Sequence, residues 1–314
     1  MAKRLTVFIV LTVLCLTALV AALLVGPALK PAVAARALVE TLAGHGSGVN
    51  GAIITYRLTR LLAAAAVGLA LAVAGTALQA LLRNPLADPY ILGISAGGGF
   101  GAAVAVALGL GAGATFSAVN LFAFAGALAA IGVGFAVARA AGILSVHALL
   151  LAGVMVGAFF TSLILLVLAV VPARDQHAVF LWLMGDLGSP DITPAKVLVT
   201  WAFVAAAAGG LGLGARALDV VALASLATAA TVALAGPIGF VGIVVPHALR
   251  RLVGPRHHIL LPAAALGGVT LVVAGDVLVR VSADYLNLPI VPVGVFTALI
   301  GAPYFLFLLK RRAG

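Results

Sequence analysis

Residues 68–101 read GLALAVAGTALQALLRNPLADPYILGISAGGGFG, two apolar segments joined by a polar turn. The first segment is rich in small residues and predicts a helix that ends near Gln79. Pro85 and Pro89 follow within the turn, and because proline cannot continue a helix they predict a break there. The stretch therefore predicts two helices that meet at a defined turn.

The second segment opens with a glycine pattern that predicts close helix packing. Gly93, Gly97 and Gly101 recur every four residues, so they share one helix face that a neighbouring helix can approach closely. Ser95 is predicted to cap this helix, because a serine side chain can accept a hydrogen bond from a free backbone N–H group. Asp88 is predicted to cap the turn or the helix that follows it.

Composition places the whole chain in a membrane. Of its 314 residues 64% are hydrophobic and only 8% are charged, with a mean hydropathy of +1.29. A soluble domain carries about 25% charged residues. The length would suit two soluble domains, but this composition predicts one polytopic helical membrane domain.

Apolar runs of about 20 residues recur along the chain and predict about ten membrane-spanning helices. The first run is predicted to be a retained span rather than a cleaved signal peptide. An even number of spans places both chain ends on the same side. The approximate bounds of the predicted spans are 5–26, 58–82, 92–110, 118–138, 145–171, 195–213, 220–236, 238–253, 259–279 and 292–309.

Charge sets the predicted orientation. The net charge is +10, but the cations lie in short loops, where the positive-inside rule explains them better than a nucleic-acid partner does. With ten spans, eleven of the 18 Lys and Arg residues fall on the side of the termini and seven on the other. Both termini are therefore predicted to be cytoplasmic, and the opposite face is called the outer side below.

Four blocks of sequence together resemble one family. They are Tyr56–Leu62, Leu82–Gly97, Ala235–His247 and Pro292–Phe305. In order, spacing and length they resemble the FecCD/BtuC-like permeases, the membrane subunits of type II ABC importers for iron-siderophore, haem and cobalamin. The resemblance covers nearly the whole chain. The motif positions that carry it are Asn84, Pro85, Asp88, Pro89, Gly93, Ser95, Gly97, Pro237, Gly239, Pro246, His247, Gly294, Gly301 and Pro303.

The resemblance implies an all-α polytopic fold of the type II ABC importer permease class, with residues 1–314 as a single transmembrane domain. It implies a homodimer in the bacterial inner membrane, with cytoplasmic ABC ATPase subunits below and a periplasmic substrate-binding protein above. The implied cargo is an iron(III) chelate such as a siderophore, with cobalamin or haem as the alternative. The chain is expected to be non-catalytic, since ATP hydrolysis belongs to a partner, and to hold no cofactor or metal ion.

Three arginines are carried over from the family as contacts of the binding protein. Arg57 and Arg60 match the family's R-x-P-R pattern at the outer start of the second span, with Thr59 replacing the proline. Arg280 matches a third arginine at the outer end of the ninth span. Exposed guanidinium groups favour carboxylates, although interfacial snorkelling is the alternative. Asp276 is predicted to pair with Arg280, four residues further along the same helix.

Four polar residues are candidates for the translocation pathway. Gln79 and Asn84 lie in a central helix and at its exit, where they could line a conduit. Ser145 and His147 lie at the inner start of the fifth span, where the family places its cytoplasmic gate. His247 is predicted to be a packed residue rather than a ligand, because it is a lone histidine within an apolar span.

The resemblance breaks down after residue 220. There the family continues with a polar stretch of the type L-G-E-E-A-A-R-x-L-G, which forms short cytoplasmic helices that rest in the ATPase groove. In this chain Arg216–Leu223 runs directly into the seventh span. About two turns of polar helix are missing, and the span is predicted to be short, at about 17 residues. An uncoupled homologue or deletion variant is therefore the alternative function.

Overall fold

The computed structural model describes residues 2–110, 118–140, 146–212, 216–286 and 291–313, of which 146–147, 285–286 and 307–313 are described by their backbone alone. The described chain forms twelve α-helices and a 3₁₀ turn at Pro89–Leu92, without strands. The helices are α1 (Ala2–Leu24), α2 (Pro31–Leu42), α3 (Gly48–Leu81), α4 (Ile94–Ala107), α5 (Ala118–Ala140), α6 (Val146–Val170), α7 (Ala173–Leu183), α8 (Pro194–Gly212), α9 (Ala217–Ala235), α10 (Val241–Val253), α11 (His257–Leu286) and α12 (Val293–Ala313).

The all-helical fold is confirmed, and each of the ten predicted spans coincides with one helix. Seven of the described helices are long and apolar enough to cross a bilayer. Two more, α4 and the apolar part of α12, are apolar but shorter, and α10 has only 13 residues. Short helices of this kind do not cross a bilayer alone, so their neighbours must complete the span.

Two helices lie between the spans. Helix α2 begins at Pro31, and proline is well suited to the first position of a helix. Helix α7 was not predicted. Its first turn contains Arg174, Asp175, Gln176 and His177, a polar run typical of a loop.

Helix α3 is the centre of the molecule. It packs against α2, α8, α9, α10 and α11. In its most apolar 18-residue stretch 83% is buried, whereas in the corresponding stretch of α1 only 11% is buried. A helix that is apolar on all sides is expected to be surrounded by other helices. The segment quoted at the outset therefore contributes the core helix around which the others pack.

The predicted glycine contacts are confirmed between α4 and α5. A Cβ added at Gly97 would meet the carbonyl oxygen of Gly126, and one added at Gly101 would meet that of Phe122. Gly93 has a different role, because its φ of +78° falls in the left-handed region that favours glycine. It forms the bend between the 3₁₀ turn and α4.

The caps of the turn differ in part from the prediction. Asp88 caps the 3₁₀ turn as predicted, since its Oδ1 accepts a hydrogen bond of 3.0 Å from the N–H of Tyr90. The prediction for Ser95 is wrong: Gly93 occupies the cap position of α4 and Ser95 lies within the first helical turn. Asn84 stabilises the turn by accepting a 3.0 Å hydrogen bond from the N–H of Leu86.

Candidate functional site

A concave face runs along one side of the molecule, where α4, α6, α7 and α12 surround the segment 236–240. It contains two neighbouring cavities of about 450 and 520 Å³. Both cavities are lined by Tyr90, Ser95, Leu183 and Pro237. We call the surface around these four residues the concave face. Among the described residues, none of those that line either cavity is charged.

Tyr90 joins the two chain breaks that meet at the concave face. Its hydroxyl accepts a hydrogen bond of 3.0 Å from the N–H of Ile238 and donates one of 3.3 Å to the carbonyl of the same residue. The 3₁₀ turn after α3 is thereby tied to segment 236–240, which follows α9. Gly242, in the first turn of α10, packs directly on Pro89, since an added Cβ there would lie 2.7 Å from the proline ring.

Gly294 and Gly301, two glycines of the sequence block 292–305, make close contacts at the concave face. The N–H of Gly294 donates a hydrogen bond of 3.1 Å to the carbonyl of Gly185, and a Cβ at Gly294 would meet the carbonyl of Met184. A Cβ at Gly301 would meet the side chain of Phe240. These contacts fix α12 against the end of α7 and against segment 236–240.

The other motif positions lie at a cavity, inside helices or in the buried interior. Gly239 lines the larger cavity. Pro246 and Pro303 lie inside α10 and α12. His247 is 7% exposed, which agrees with the predicted packed residue.

Asp88 is a titratable group of the turn, outside the predicted spans. Burial raises the pKa of its carboxyl to about 6, and the hydrogen bond from the N–H of Tyr90 opposes this increase. An acid with a higher pKa in the folded protein than in the unfolded chain binds its proton more tightly when folded. Its contribution to stability therefore decreases as pH rises from about 4 to about 6.

We expect Asp88→Asn to remove this pH dependence. Asparagine can accept the same hydrogen bond from Tyr90 but carries no charge to bury, so the variant should gain up to about 3 kcal/mol relative to the wild type above pH 6. Thermal unfolding of both proteins in detergent between pH 4 and pH 7 measures the difference. A constant difference across that range would contradict the prediction.

A buried charge cluster lies at the outer ends of α3 and α11. The Asp276 Oδ1 is 2.7 Å from Nη2 of Arg60, and its Oδ2 is 3.1 Å from Nε of Arg280. The predicted helical pair between Asp276 and Arg280 is confirmed. Arg60 also donates a hydrogen bond of 3.1 Å to the hydroxyl of Tyr56. One carboxylate thus holds two guanidinium groups from different helices.

Arg57 completes the cluster by capping the carboxyl end of α1. Its guanidinium donates to the carbonyls of Leu23 at 2.9 Å, Gly26 at 3.0 Å and Pro27 at 2.9 Å. The last carbonyls of a helix have no partner within that helix and attract cations. Arg280 adds longer contacts to the carbonyls of Ala22 and Val25 from the other side.

The predicted exposure of these arginines is wrong. Arg57, Arg60 and Arg280 are only 3%, 4% and 5% exposed. Helix α3 begins ten residues before the predicted start of its span, at Gly48, and α11 continues to Leu286. The arginines therefore lie within helices and point into the protein.

Gln79 is a packing residue in the structure, which corrects the predicted pathway role. It is 0% exposed, and its side-chain amide donates a 3.1 Å hydrogen bond to the carbonyl of Gly242. Its Oε1 accepts one of 3.2 Å from Arg250. Gln79 thus links α3 to α10 and lines neither cavity.

The other pathway candidates lie away from the concave face or outside the described part of the chain. Asn84 is exposed in the turn and lines neither cavity. Ser145 lies outside the described residues, and His147 is described only by its backbone in α6. Sequence reasoning missed the residues of α7 that line the cavities, although Trp182 and the apolar run 179–183 were available signals.

The part of the sequence that departs from the family lies at the start of α9. The described part of α8 ends at Gly212, residues 213–215 lie outside the described chain, and α9 begins at Ala217. The backbone N–H of Arg216 donates to Asp219 Oδ2 at 3.2 Å, which caps the start of α9. The helix has 19 residues, so the predicted length of about 17 was too short; the residues 217–219 extend it.

Comparison with known sequences decides the family. The sequence profile of the FecCD transport family matches residues 11–223 and 205–311. The chain belongs to the FecCD transport family. The resemblance inferred from the four sequence blocks is thereby confirmed.

The relatives of this chain are named for different cargoes. The cobalamin import system permease protein BtuC of Halobacterium salinarum is 40% identical over 278 residues, covering 82% of this chain and 73% of that protein. The Fe(3+)-citrate import system permease protein YfmD of Bacillus subtilis is 35% identical, covering 85% and 83%. The hemin transport system permease protein HmuU of Yersinia pestis is 33% identical, covering 82% and 83%.

A solved structure confirms the fold. An inward-facing metal-chelate type ABC transporter aligns with a TM-score of 0.79 and 26% identity, over 98% of this chain and 99% of that one. The chain is therefore a multi-pass membrane protein and a permease of the type II ABC importer class.

The alignments also show that the relatives are longer within the matched region. For the H. salinarum protein, 82% of 314 residues is about 257, so about 20 of the 278 aligned positions have no counterpart in this chain. For the B. subtilis protein, 85% is about 267 of 287 aligned positions, again a difference of about 20.

Proposed function

We propose that this permease pairs with a second copy and moves a bulky metal chelate across the cytoplasmic membrane along the concave face. The observation that carries the proposal is that the described residues lining the two cavities are all uncharged. Charge-assisted contacts are the strong polar interactions of proteins, and a lining without charges holds a cargo weakly. Weak contact suits a conduit that receives its cargo from one partner and releases it on the other side.

The proposed partners follow from the family. A cytoplasmic ATPase supplies the energy, so this subunit itself performs no chemistry, and an extracytoplasmic binding protein delivers the chelate. Relatives occur in both archaea and bacteria, and the bacterial inner membrane is the location that we propose for this chain. Docking of the binding protein on Arg57, Arg60 and Arg280 stays a prediction. The burial of these arginines in the structure does not support it.

The cargo that we propose is an iron(III) chelate of the siderophore type. Ferric citrate and hemin are the cargoes named for relatives at 35% and 33% identity. Cobalamin is the second candidate, because the 40% identical relative is named for it.

Uptake into proteoliposomes tests which cargo the permease carries. The permease, its ATPase and its binding protein are reconstituted, and ATP-dependent uptake of a labelled ferric siderophore is competed with cobalamin and with hemin. We expect neither cobalamin nor hemin to compete with the ferric siderophore. Competition by cobalamin alone would favour cobalamin over a ferric siderophore as the cargo.

A variant pair tests the concave face. Ser95→Phe adds an aromatic ring to the wall of both cavities and should reduce uptake about tenfold or more, the effect of 1.4 kcal/mol or more on transport. Ser282→Phe is the matched control, since Ser282 is exposed on α11 and lines neither cavity. Equal uptake by both variants would exclude this face as the route.

A further inference from the structure

A second concave surface lies between α5, α8 and α9, on residues that line neither cavity of the concave face. Its cavity has a volume of about 260 Å³, and we call it the lateral groove. Ala230, Ala233 and Leu234 of α9 form the floor. Phe124 and Phe203 face each other across it, with ring centroids 5.4 Å apart.

The rim of the lateral groove is apolar and exposed. Leu121 on α5 is 55% exposed and Val199 on α8 is 39% exposed, and both line the groove. Both helices are predicted spans, so their exposed faces lie against hydrocarbon rather than water. The medium that fills the groove is therefore lipid.

A cation lies at the outer end of this apolar groove. Lys196 is only 4% exposed, and its Nζ donates to Asn120 Oδ1 at 2.9 Å and to the carbonyl of Asp191 at 2.6 Å. Asn120 in turn donates through Nδ2 to the carbonyl of Ala233. A lysine this close to the membrane surface could extend to water, yet this one bends inward to the groove.

Among the described residues Lys196 forms no ion pair by contact, and the Asp191 carboxylate acts on its ammonium only at longer range. Within the described residues, no carboxylate oxygen lies within 4.0 Å of its Nζ. An ammonium has three N–H donors, and the two hydrogen bonds to neutral oxygens leave one donor available. Buried cations are stabilised by an anionic partner.

We propose that the lateral groove binds one anionic phospholipid of the outer leaflet, with an acyl chain along α9 and the headgroup phosphate at Lys196. The apolar floor and rim match the chain, and the ammonium matches the phosphate. Basic pockets between transmembrane helices bind anionic lipid headgroups at the cytoplasmic surface, and we apply the same chemistry to the outer end of this groove. The lipid would bridge α5 and α8.

Titration of the purified full-length protein tests this proposal. Short-chain phosphatidylglycerol, phosphatidylcholine with the same chains, and inorganic phosphate are added separately in detergent. Melting temperature and lipid retention by native mass spectrometry are measured. We expect saturable binding of phosphatidylglycerol, about tenfold or more tighter than that of phosphatidylcholine, the effect of one charge-assisted hydrogen bond. We expect no effect of phosphate.

Three variants separate the two parts of the site. Lys196→Met should remove the preference for phosphatidylglycerol, and Ala230→Leu should weaken both lipids by filling the floor of the groove. Lys30→Gln, at an exposed outer lysine that does not line the groove, should bind like the wild type. Ala230→Leu keeps every polar contact, so it tests the site even if Lys196→Met fails to fold.

Three results would overturn the proposal. One is equal binding of the two lipids by the wild type. Another is unchanged phosphatidylglycerol binding by Ala230→Leu. The third is stabilisation by inorganic phosphate alone, which would show a site for free anions rather than for a lipid.

Discussion

Replacing Asp276 with asparagine is expected to destabilise the permease by about 3–5 kcal/mol, the cost of breaking a buried ion pair by removing one partner. Asp276 contacts Arg60 at 2.7 Å and Arg280 at 3.1 Å, and all three are at most 5% exposed. Without the carboxylate, two guanidinium groups remain buried beside a third, that of Arg57. Their repulsion should separate the outer ends of α1, α3 and α11.

The measurement is the folded yield in detergent and the melting temperature of Asp276→Asn. Asp284→Asn is the matched control, because Asp284 lies two turns further along α11, is exposed and forms no ion pair among the described residues. We expect the control to melt within a degree or two of the wild type. If both variants melted alike, the charge cluster would not stabilise the fold.

The second large effect concerns the ATPase. We expect the chain as it stands to retain at least tenfold less of its cognate ATPase on co-purification than a version with the polar family segment inserted between Gly212 and Ala217. Helix α9 begins at Ala217, five residues after Gly212, the last described residue of α8, and this chain lacks about 20 of the positions in each of the two alignments. Losing a contact worth 1.4 kcal/mol costs a factor of ten in affinity.

An insertion of equal length made of glycine and serine is the control, since such a linker is flexible and offers no helix to a partner. Retention of the ATPase by the family insertion alone would assign the contact to the polar helix. If the natural chain bound the ATPase as well as the restored one and supported ATP-dependent uptake, the segment would be dispensable and the uncoupled alternative excluded.

The sequence was sufficient for the ten membrane-spanning helices and for the family, because the signals that specify them are local. Apolar runs long enough to cross a bilayer gave the ten spans, and Gly97 and Gly101 marked a helix face by their spacing. Asp88 capped its turn for a reason contained within three residues. The helical pair of Asp276 and Arg280 likewise needed only a spacing of four residues.

The tertiary structure decided which polar residues face the cavities and which are packed. Arg60 and Asp276 are 216 residues apart, so their contact depends on how α3 and α11 pack. The arginines that were expected at the surface are buried. Gln79 forms hydrogen bonds to α10, and no local sequence pattern predicts that contact. Hydropathy fixes whether a helix enters the membrane, whereas the direction of each side chain depends on its neighbours. The concave face could therefore be located only after the helices were assembled.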